Sequence, residues 1–250
     1  MNSIEKKWRE ILDHIYCDGK VNRKDDSVVK EILGYHTFIE NPLKSLEFLK
    51  LSSDDFIKYI KDGYFDVNGY VMNNQGIAEY LEGFFDDKIV KCYESDKGFV
   101  YTYPERLLSM RTWNKSKVKK YARIEEVLEP INQIDVIVDR LKNHIGSNRA
   151  VATLYNCGLD KDEEDIPCLN WIQATVRDNI LRLHVTFRSN DIFGAWPANM
   201  FFITYIGLLI CERLEDEYPT LVFDGIDYHV SSAHYYITDE DMVKKVIEGI

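Results

Sequence analysis

The stretch Ile166-Pro167-Cys168-Leu169-Asn170-Trp171-Ile172-Gln173 places a cysteine directly before an apolar run that is typical of a buried strand. The stretch Phe187-Arg188-Ser189-Asn190-Asp191-Ile192-Phe193-Gly194-Ala195-Trp196-Pro197-Ala198-Asn199 follows, with an arginine at the end of the next predicted strand. Its polar segment leads into a long apolar helix. In this arrangement the thiol of Cys168, the guanidinium of Arg188 and the amide of Asn199 can converge at one place.

The pair of Cys168 and Arg188 indicates a particular kind of chemistry. A cysteine acts as a nucleophile only as the thiolate, and a neighbouring guanidinium favours that form. The same guanidinium offers a bidentate seat for a phosphate. The pair therefore predicts covalent chemistry on an anionic substrate. The alternative is that Cys168 is an inert core thiol, and the spacing alone favours that alternative.

Several short patterns in this region together resemble a known family. They are Pro167-Cys168, Gln173 five residues after the cysteine, Arg188-Ser189-x-Asp191, Pro197-x-Asn199 and Asp227-x-His229. In this order they resemble the C-terminal half of the thymidylate synthase family, which includes the pyrimidine nucleotide hydroxymethylases. The match extends from about Ser147 to about His234. The short, divergent form is similar to the archaeal, biosynthetic and phage branches of that family.

Composition limits the possible partners. The chain has 250 residues, 45% apolar and 13% aromatic, which is enough for a substantial core, and we expect one domain over residues 1–250. A net charge of −11 and a pI near 5.1 argue against a nucleic acid as partner, because binding its backbone needs clustered basic residues. Five cysteines without a Cys-x-x-Cys pattern indicate neither a disulfide framework nor a metal site.

The N-terminus is charged and lacks the apolar region of a signal peptide. The longest apolar run, from Met200 to Cys211, is too short to span a bilayer and fits a buried helix. We therefore expect a cytoplasmic protein that does not contact a membrane.

Periodicity and turn residues predict the remaining elements. Helices are predicted over 3–16, from the capping box Ser52-Ser53-Asp54-Asp55 to Asp62-Gly63, and over 75–85, 131–144, 198–213 and 239–247. Strands are predicted over 28–39, as one strand or two, and over 149–156, 169–176, 180–187 and 221–231. The resemblance implies an α/β (α+β) fold in three layers. A large bent mixed sheet would carry helices on one face and the partner of a homodimer on the other.

The resemblance also implies a role for each matching residue. Cys168 would add to ring carbon six of a pyrimidine nucleoside monophosphate, which activates carbon five. The implied substrate contacts are Arg188, Ser189 and Arg149 to phosphate, with Arg149 reaching across the dimer, Gln173 and Asp191 to the ring and its surrounding backbone, Asn199 to the uracil edge and His229 to the sugar. Because an amide both donates and accepts, Asn199 favours a uridylate, and the expected substrate is deoxyuridylate.

Residues earlier in the chain match the family more weakly. Arg23 lies where the family has a phosphate-binding arginine on a glycine-rich loop, but the glycines are missing, and a solvated charge run is the alternative. Gly98-Phe99-Val100-Tyr101, with Arg106 five residues after the tyrosine, resembles the segment whose tyrosine lies near the proton of carbon five. Tyr103 is a second candidate for that role.

The family also carries a proton-relaying glutamate on a helix before this segment. Asp55, Glu79 and Glu82 are the candidates, and a solvated acid is the alternative for each of them.

The sequence departs from the family at several positions. Leu169, Asn148 and Ser231 replace a histidine, an arginine and a tyrosine, respectively. The tryptophan-bearing segment that packs the folate has no counterpart, and the chain ends about twenty residues after His229. The implied one-carbon donor is methylenetetrahydrofolate, and these departures fall mostly on its side of the site.

Four interpretations remain open on the sequence. The chain can be a methyltransferase or a hydroxymethylase, including a cytidylate hydroxymethylase, or a nucleotide-binding paralogue without folate chemistry. A weaker alternative is a cysteine hydrolase in which His229 and Asp227 assist Cys168.

Overall fold

The computed structural model of the protein describes residues 3–24, 26–43, 52–62, 74–86, 101–113 and 128–249. Its helices are α1 (Ser3–Asp18), α2 (Ser53–Lys61), α3 (Asn74–Glu82), α4 (Tyr103–Leu108), α5 (Gln133–Asn143), α6 (Cys157–Asp160), α7 (Trp196–Arg213) and α8 (Glu240–Glu248). Its strands are β1 (Lys20–Lys24), β2 (Ser27–Glu40), β3 (Met110–Trp113), β4 (Leu128–Ile131), β5 (Val151–Thr153), β6 (Leu169–Arg177), β7 (Ile180–Phe187), β8 (Asn190–Asp191) and β9 (Val222–Tyr236). Residues 98–100 of the predicted tyrosine segment lie outside the described residues.

One seven-stranded sheet organises the described chain. Its order is β1-β2-β9-β7-β6-β5, and β8 pairs with β9 beside this path. Strand β9 runs parallel to β7 and β8, whereas the other neighbours in this sheet are antiparallel. Strands β3 and β4 form a separate pair. A large mixed sheet with helices confirms the predicted α/β class.

The hairpin of β6 and β7 determines where the motif residues lie. Its two-residue turn, Asp178-Asn179, has φ values of 51° and 60°, which match the twist of a tight antiparallel hairpin. From this turn the register proceeds to the pair of Leu169 and Phe187 at the other end. The residues next to that pair, Cys168 and Arg188, are therefore brought together by strand pairing alone.

The other hairpin, β1 with β2, differs from the sequence prediction. Residues 20–24 pair with residues 27–31, so Arg23 lies on a strand and not on a loop. Strand β2 is one continuous strand and passes through Gly34, whose φ of 67° is accessible to glycine without strain.

The core lies between one face of the sheet and the helices. It extends from Ile4 in α1 to Val246 in α8. Helix α7 is buried around nearly its whole circumference from Trp196 to Ile210, as its continuous apolar sequence predicts. Among the described residues, no helix combines the length and apolar content that crossing a bilayer requires.

The opposite face of the sheet, which we call the outer face, is mostly polar. It carries His36 and Phe38 of β2, Gln173 and Thr175 of β6, Arg182, His184 and Thr186 of β7, and Asp227 and His229 of β9. Alternation along each strand separates these side chains from the core.

Candidate active site

Cys168, Arg188 and Ser189 form a group that we call the thiol corner. The backbone N–H of Arg188 donates to the carbonyl of Cys168 at 2.8 Å, which extends the β6–β7 pairing by one step. Cys168 is half-buried, and its Sγ lies 3.8 Å from the Oγ of the buried Ser189. The thiol is thus neither sealed in the core nor fully exposed.

The guanidinium of Arg188 ties the cysteine segment to the end of β7. It donates to the carbonyls of Ile166 at 2.7 Å and Pro167 at 3.2 Å, and to Ser189 Oγ at 3.2 Å. Since arginine can only donate, Ser189 Oγ accepts from Arg188 and can direct its own hydrogen towards the sulfur of Cys168. The serine hydroxyl thereby links the positive charge to the thiol.

Two tyrosines contact the cysteine segment from the neighbourhood of α4. Tyr101 Oη donates to the carbonyl of Ile166 at 3.4 Å, and Tyr103 Oη accepts from the backbone N–H of Leu169 at 3.3 Å. Their ring centroids are 6.1 Å apart. Burial, followed by the proximity of Cys168, raises the pKa of both phenols above the usual range, so both are neutral at physiological pH.

A buried ion pair lies beside the ring of Tyr101. Arg106 Nη2 lies 2.6 Å from Asp160 Oδ1, with both side chains almost fully buried, and the guanidinium carbon of Arg106 is 5.6 Å from the Tyr101 ring centroid. Asp160 could not be identified as its partner from the sequence. It lies far from Arg106 along the chain, and no local pattern connects the two.

The predicted base-reading residue, Asn199, lies at the start of α7. Its Nδ2 donates to Asn190 Oδ1 at 3.2 Å, and Asn190 Nδ2 donates to Tyr228 Oη at 3.1 Å. Because Asn190 and Tyr228 are buried, these two hydrogen bonds hold the Asn199 amide from the side of the core. Asn190 was not predicted, although it stands within the Arg-Ser-x-Asp pattern.

Asp191 organises the turn that leads into α7. Its Oδ1 accepts from the N–H of Gly194 at 2.9 Å. A Cβ at residue 194 would lie 2.3 Å from Asp191 Oδ2, so any side chain there would force the Asp191 carboxylate to move. Burial raises the pKa of Asp191 and outweighs the hydrogen bonds from the backbone of the turn.

Three further predicted substrate contacts are Gln173, His229 and Arg149. Gln173 and His229 are on the outer face, where Gln173 Nε2 donates to the carbonyl of Asn148 at 2.8 Å. Arg149 is exposed and lines a groove of about 450 Å³ beside the end of α5. In the described part of the chain, none of the three side chains has a hydrogen bond to Cys168.

Asp55, Glu79 and Glu82 have surface contacts that account for them. Asp55 completes the capping box with Ser52 at the start of α2, as predicted. Glu79 accepts from Gln75 at 2.7 Å, and Glu82 pairs with Lys61. All three carboxylates are exposed, and the structure connects none of them to the thiol corner within the described residues.

A second polar group, which we call the outer-face network, comprises Thr175, His184, Asp227 and His36. Asp227 accepts from His36 Nε2 at 2.6 Å and from His184 Nδ1 at 2.8 Å, and His184 Nε2 lies 2.9 Å from Thr175 Oγ1. Burial opposes ionisation of Asp227, but the hydrogen bonds from the two histidines outweigh it and lower its pKa. Asp227 is thus engaged by other histidines and not by His229, which removes the pairing that the hydrolase alternative needs.

Comparisons with known proteins agree with this architecture. A model of the thymidylate synthase family matches residues 88–248. A protein from Methanothermobacter marburgensis is 26% identical over 252 residues, covering 100% of this chain and 97% of the relative. A protein from Methanosarcina mazei is 25% identical over 249 residues, covering 99% and 93%, and one from Methanocaldococcus jannaschii is 27% identical, covering 97% and 92%. Each is named "Putative thymidylate synthase".

The fold and the family match define an enzyme class that transfers methyl or hydroxymethyl groups. The chain belongs to the thymidylate synthase family. The resemblance read from the motifs, including its archaeal character, is confirmed.

Proposed function

We propose that this protein transfers a one-carbon group to ring carbon five of a pyrimidine nucleoside monophosphate, with deoxyuridylate as the expected substrate. The observation that carries the proposal is the thiol corner. Cys168 Sγ lies 3.8 Å from Ser189 Oγ, which in turn accepts a hydrogen bond from Arg188 at 3.2 Å. Nucleophile, hydrogen-bond donor and positive charge are adjacent, and the thiol is half-open to a substrate.

The thiolate of Cys168 adds to ring carbon six, forming a carbon–sulfur bond. The electron pair of the double bond between carbons five and six moves through the ring to the oxygen on carbon four. Carbon five then carries nucleophilic character. Ser189 and Arg188 stabilise the negative charge before the addition, and the positioning of the ring over the thiol supplies much of the remaining advantage.

Tyr101 is our candidate for the group beside the proton that leaves carbon five. Because burial keeps its phenol neutral, Tyr101 can hold or pass a proton through a hydrogen bond but does not act as a charged base. The Arg106–Asp160 pair fixes the ring. Helix capping accounts for the contacts of Asp55, and surface pairing accounts for those of Glu79 and Glu82.

Asn199 is proposed to read the uracil edge, and His229 the sugar. The Asn199 amide is held by Asn190 and lies on the first turn of α7. This suits a residue that must present its donor and acceptor atoms to a base in a fixed orientation. Arg188 would bind the phosphate, together with Arg149 of a second copy across the outer face. Exposed apolar side chains on β2, Leu33 and Phe38, favour such a homodimer.

The donor expected from the family is methylenetetrahydrofolate. Trp8 and Trp196 are buried in the core, and Trp8 Nε1 donates to the carbonyl of Ile192, so neither of these two indoles is open to stack on a pterin. In this proposal the residues of the chain bind and activate the nucleotide, and the donor would supply the carbon unit.

Tritium release from carbon five tests the function. The protein should release tritium from deoxyuridylate labelled at carbon five when the folate donor is added, and Cys168→Ala should abolish the release. The same assay with the three other uridine and cytidine monophosphates identifies the base and sugar. If none of the four substrates releases tritium, the catalytic proposal is wrong.

The second candidate function is a nucleotide-binding protein without folate chemistry, and the burial of Trp8 and Trp196 favours it. Calorimetry separates the two candidates. An enzyme should bind a folate analogue only after the nucleotide, and the nucleotide should then bind more tightly. A binding protein should show nucleotide affinity that the folate analogue does not change.

A further inference from the structure

We infer that Asp160 is a positioning residue that sets the distance between the phenol of Tyr101 and the thiol of Cys168. It acts through the guanidinium of Arg106, and the carboxylate of Glu105 holds that guanidinium from a second side. The inference rests on the proposed function, because it assigns two further residues to the same reaction. Among the described residues, neither acid has a hydrogen bond to Cys168, so both act indirectly.

Two carboxylates flank the guanidinium of Arg106. Asp160 accepts from Nη2 at 2.6 Å and from Nη1 at 3.3 Å, which makes this pair bidentate. Glu105 Oε2 lies 3.1 Å from Arg106 Nε, but neither atom has a hydrogen bond among the described residues, so this contact is electrostatic. Arg111 Nε lies 4.0 Å from the other oxygen of Glu105. Positive and negative groups therefore alternate along Arg111, Glu105, Arg106 and Asp160, which we call the charge row.

The middle of the charge row lies in the core. The side chains of Glu105, Arg106 and Asp160 are at most 2% exposed. Burial raises the pKa of Glu105, and the charges of Arg106 and Arg111 oppose this effect. A buried ion pair adds little net stability, because the cost of desolvating its charges offsets their attraction, but it can hold the elements that it joins in one arrangement. The charge row is therefore suited to orienting its neighbours.

The Arg106–Asp160 pair joins the two parts of the chain that carry the proposed reacting groups. Asp160 is the last residue of α6, and residues 161–167 lead directly from it to Cys168. Arg106 lies on α4, and its guanidinium carbon is 5.6 Å from the ring centroid of Tyr101. Tyr101 Oη in turn donates at 3.4 Å to a carbonyl near the far end of residues 161–167. That segment is thus attached at both ends to α4 and the residues beside it.

Both partners of the pair are held before any substrate binds. Asp160 Oδ2 also accepts from the N–H of Asn156 at 2.7 Å, and Asn156 Nδ2 donates to the carbonyl of Arg111 at 3.1 Å. The carbonyl of Arg106 accepts from Gln133 Nε2 at 2.7 Å. Groups fixed by such surrounding hydrogen bonds can impose a distance on the residues that they support.

This distance matters because the two groups act on neighbouring carbons of one ring. In the proposed reaction the thiol of Cys168 adds to carbon six, and Tyr101 lies beside the proton that leaves carbon five. Without the charge of Asp160, the guanidinium of Arg106 is free to turn, and the phenol loses its alignment with the thiol. Turnover should suffer more than nucleotide binding, since Arg188 is held by contacts of its own.

A double-mutant cycle tests the assignment. Asp160→Asn keeps the shape of the side chain but removes its charge, and it should lower kcat for tritium release about tenfold to a hundredfold while KM for deoxyuridylate stays within about threefold. In a Tyr101→Phe background the same substitution should lower kcat less than about threefold, because the phenol that it positions is already absent. Glu105→Gln should lower kcat in the same direction but less, since its contact with Arg106 is electrostatic alone.

Two controls separate positioning from a general loss of structure. Asp224 is likewise buried and pairs with an arginine, Arg182, at 2.7 Å, so Asp224→Asn should lower the unfolding temperature but leave kcat per folded molecule within about twofold. Alkylation by iodoacetamide reports on the thiol of Cys168 without turnover. Its rate should stay within about twofold in Asp160→Asn, because the thiol corner keeps its own contacts.

The outcomes separate this inference from the proposed function. The assignment of Asp160 is wrong, while the proposed function stands, if Asp160→Asn or Tyr101→Phe leaves kcat unchanged, if Asp160→Asn lowers kcat equally in both backgrounds, or if it slows alkylation as much as turnover. If the unaltered protein releases no tritium from any of the four monophosphates, the proposed function fails and the inference fails with it. Should Asp160→Asn not fold, Glu105→Gln enters the same cycle, because its carboxylate has no hydrogen bond to lose among the described residues.

Discussion

The thiol corner and the outer-face network are built on the same strands, but they differ in how fully their polar groups are hydrogen-bonded. In the outer-face network each polar group of Asp227, His184 and Thr175 is matched by a neighbour in the middle of the sheet. In the thiol corner Cys168 stands at a strand end, half-buried, and its hydrogen-bond contact among the described residues is the 3.8 Å approach of its sulfur to Ser189. In these two groups, the polar side chains at the centre of the strands are hydrogen-bonded to one another, whereas those at the strand end remain available to a substrate.

The largest effect that this comparison predicts is at Cys168. Cys168→Ser should lower turnover by on the order of 10⁴-fold or more, because the hydroxyl is a far weaker nucleophile than the thiolate. The unfolding temperature should change little, since serine is close to cysteine in size and the hydrogen-bond contact between the sulfur and Ser189 is long. Tritium release and calorimetric unfolding measure the two quantities. A variant that keeps turnover but loses stability would make Cys168 a structural residue.

The next largest effect is expected at Arg188. Arg188→Lys keeps a positive charge but cannot reproduce the donors to Ile166, Pro167 and Ser189. We expect kcat/KM to fall about 10²-fold to 10³-fold, through both a misplaced thiol and weaker phosphate binding. The matched control is Arg182→Lys on the outer face, whose ion pair with Asp224 lies outside the thiol corner. Equal losses in both variants would contradict the distinction between the two regions.

The proximity of Cys168 and Arg188 could be predicted because it depends on local information. Alternating residues define β6 and β7, and their antiparallel pairing joins the two outer ends. The long helices α1 and α7 are equally visible, one from its periodicity and the other from its apolar run. These elements follow from patterns that a single sequence carries.

Other features could not be predicted, for physical reasons. Strand β1 has five polar or exposed residues and is held by backbone hydrogen bonds to β2, which leave no mark on the side-chain pattern. The contacts of Arg106 with Asp160 and of Lys24 with His234 join residues far apart in the chain. Their formation depends on the whole fold, which the spacing of short motifs does not encode.

His234 makes the free energy of unfolding depend on pH. Its pKa is about 4 in the folded chain and near 6.5 when unfolded, so below pH 6.5 the unfolded state binds a proton that the folded state does not. The resulting stability is complete above pH 6.5 and is lost as pH falls towards 4, by up to about 3 kcal/mol. Urea unfolding at pH 7, 5.5 and 4 measures this loss. His234→Gln should flatten the dependence, whereas His14→Gln at the exposed surface of α1 should not.

The smallest effect distinguishes the outer-face network from the thiol corner most directly. Asp227→Asn removes the carboxylate charge that contacts both His36 and His184. At pH 7 this should lower the free energy of unfolding by about 1 kcal/mol; the effect is small because the carboxylate is partly exposed to water. The pKa of Asp227 is lowered in the folded chain, so its contribution is present above the unfolded value near 3.8 and disappears as pH falls below it. The difference between variant and parent should therefore vanish in acid. Turnover per folded molecule should stay within about twofold, since no hydrogen bond joins Asp227 to Cys168 among the described residues. A loss of turnover larger than the loss of stability would show that the outer face and the strand ends act as one site.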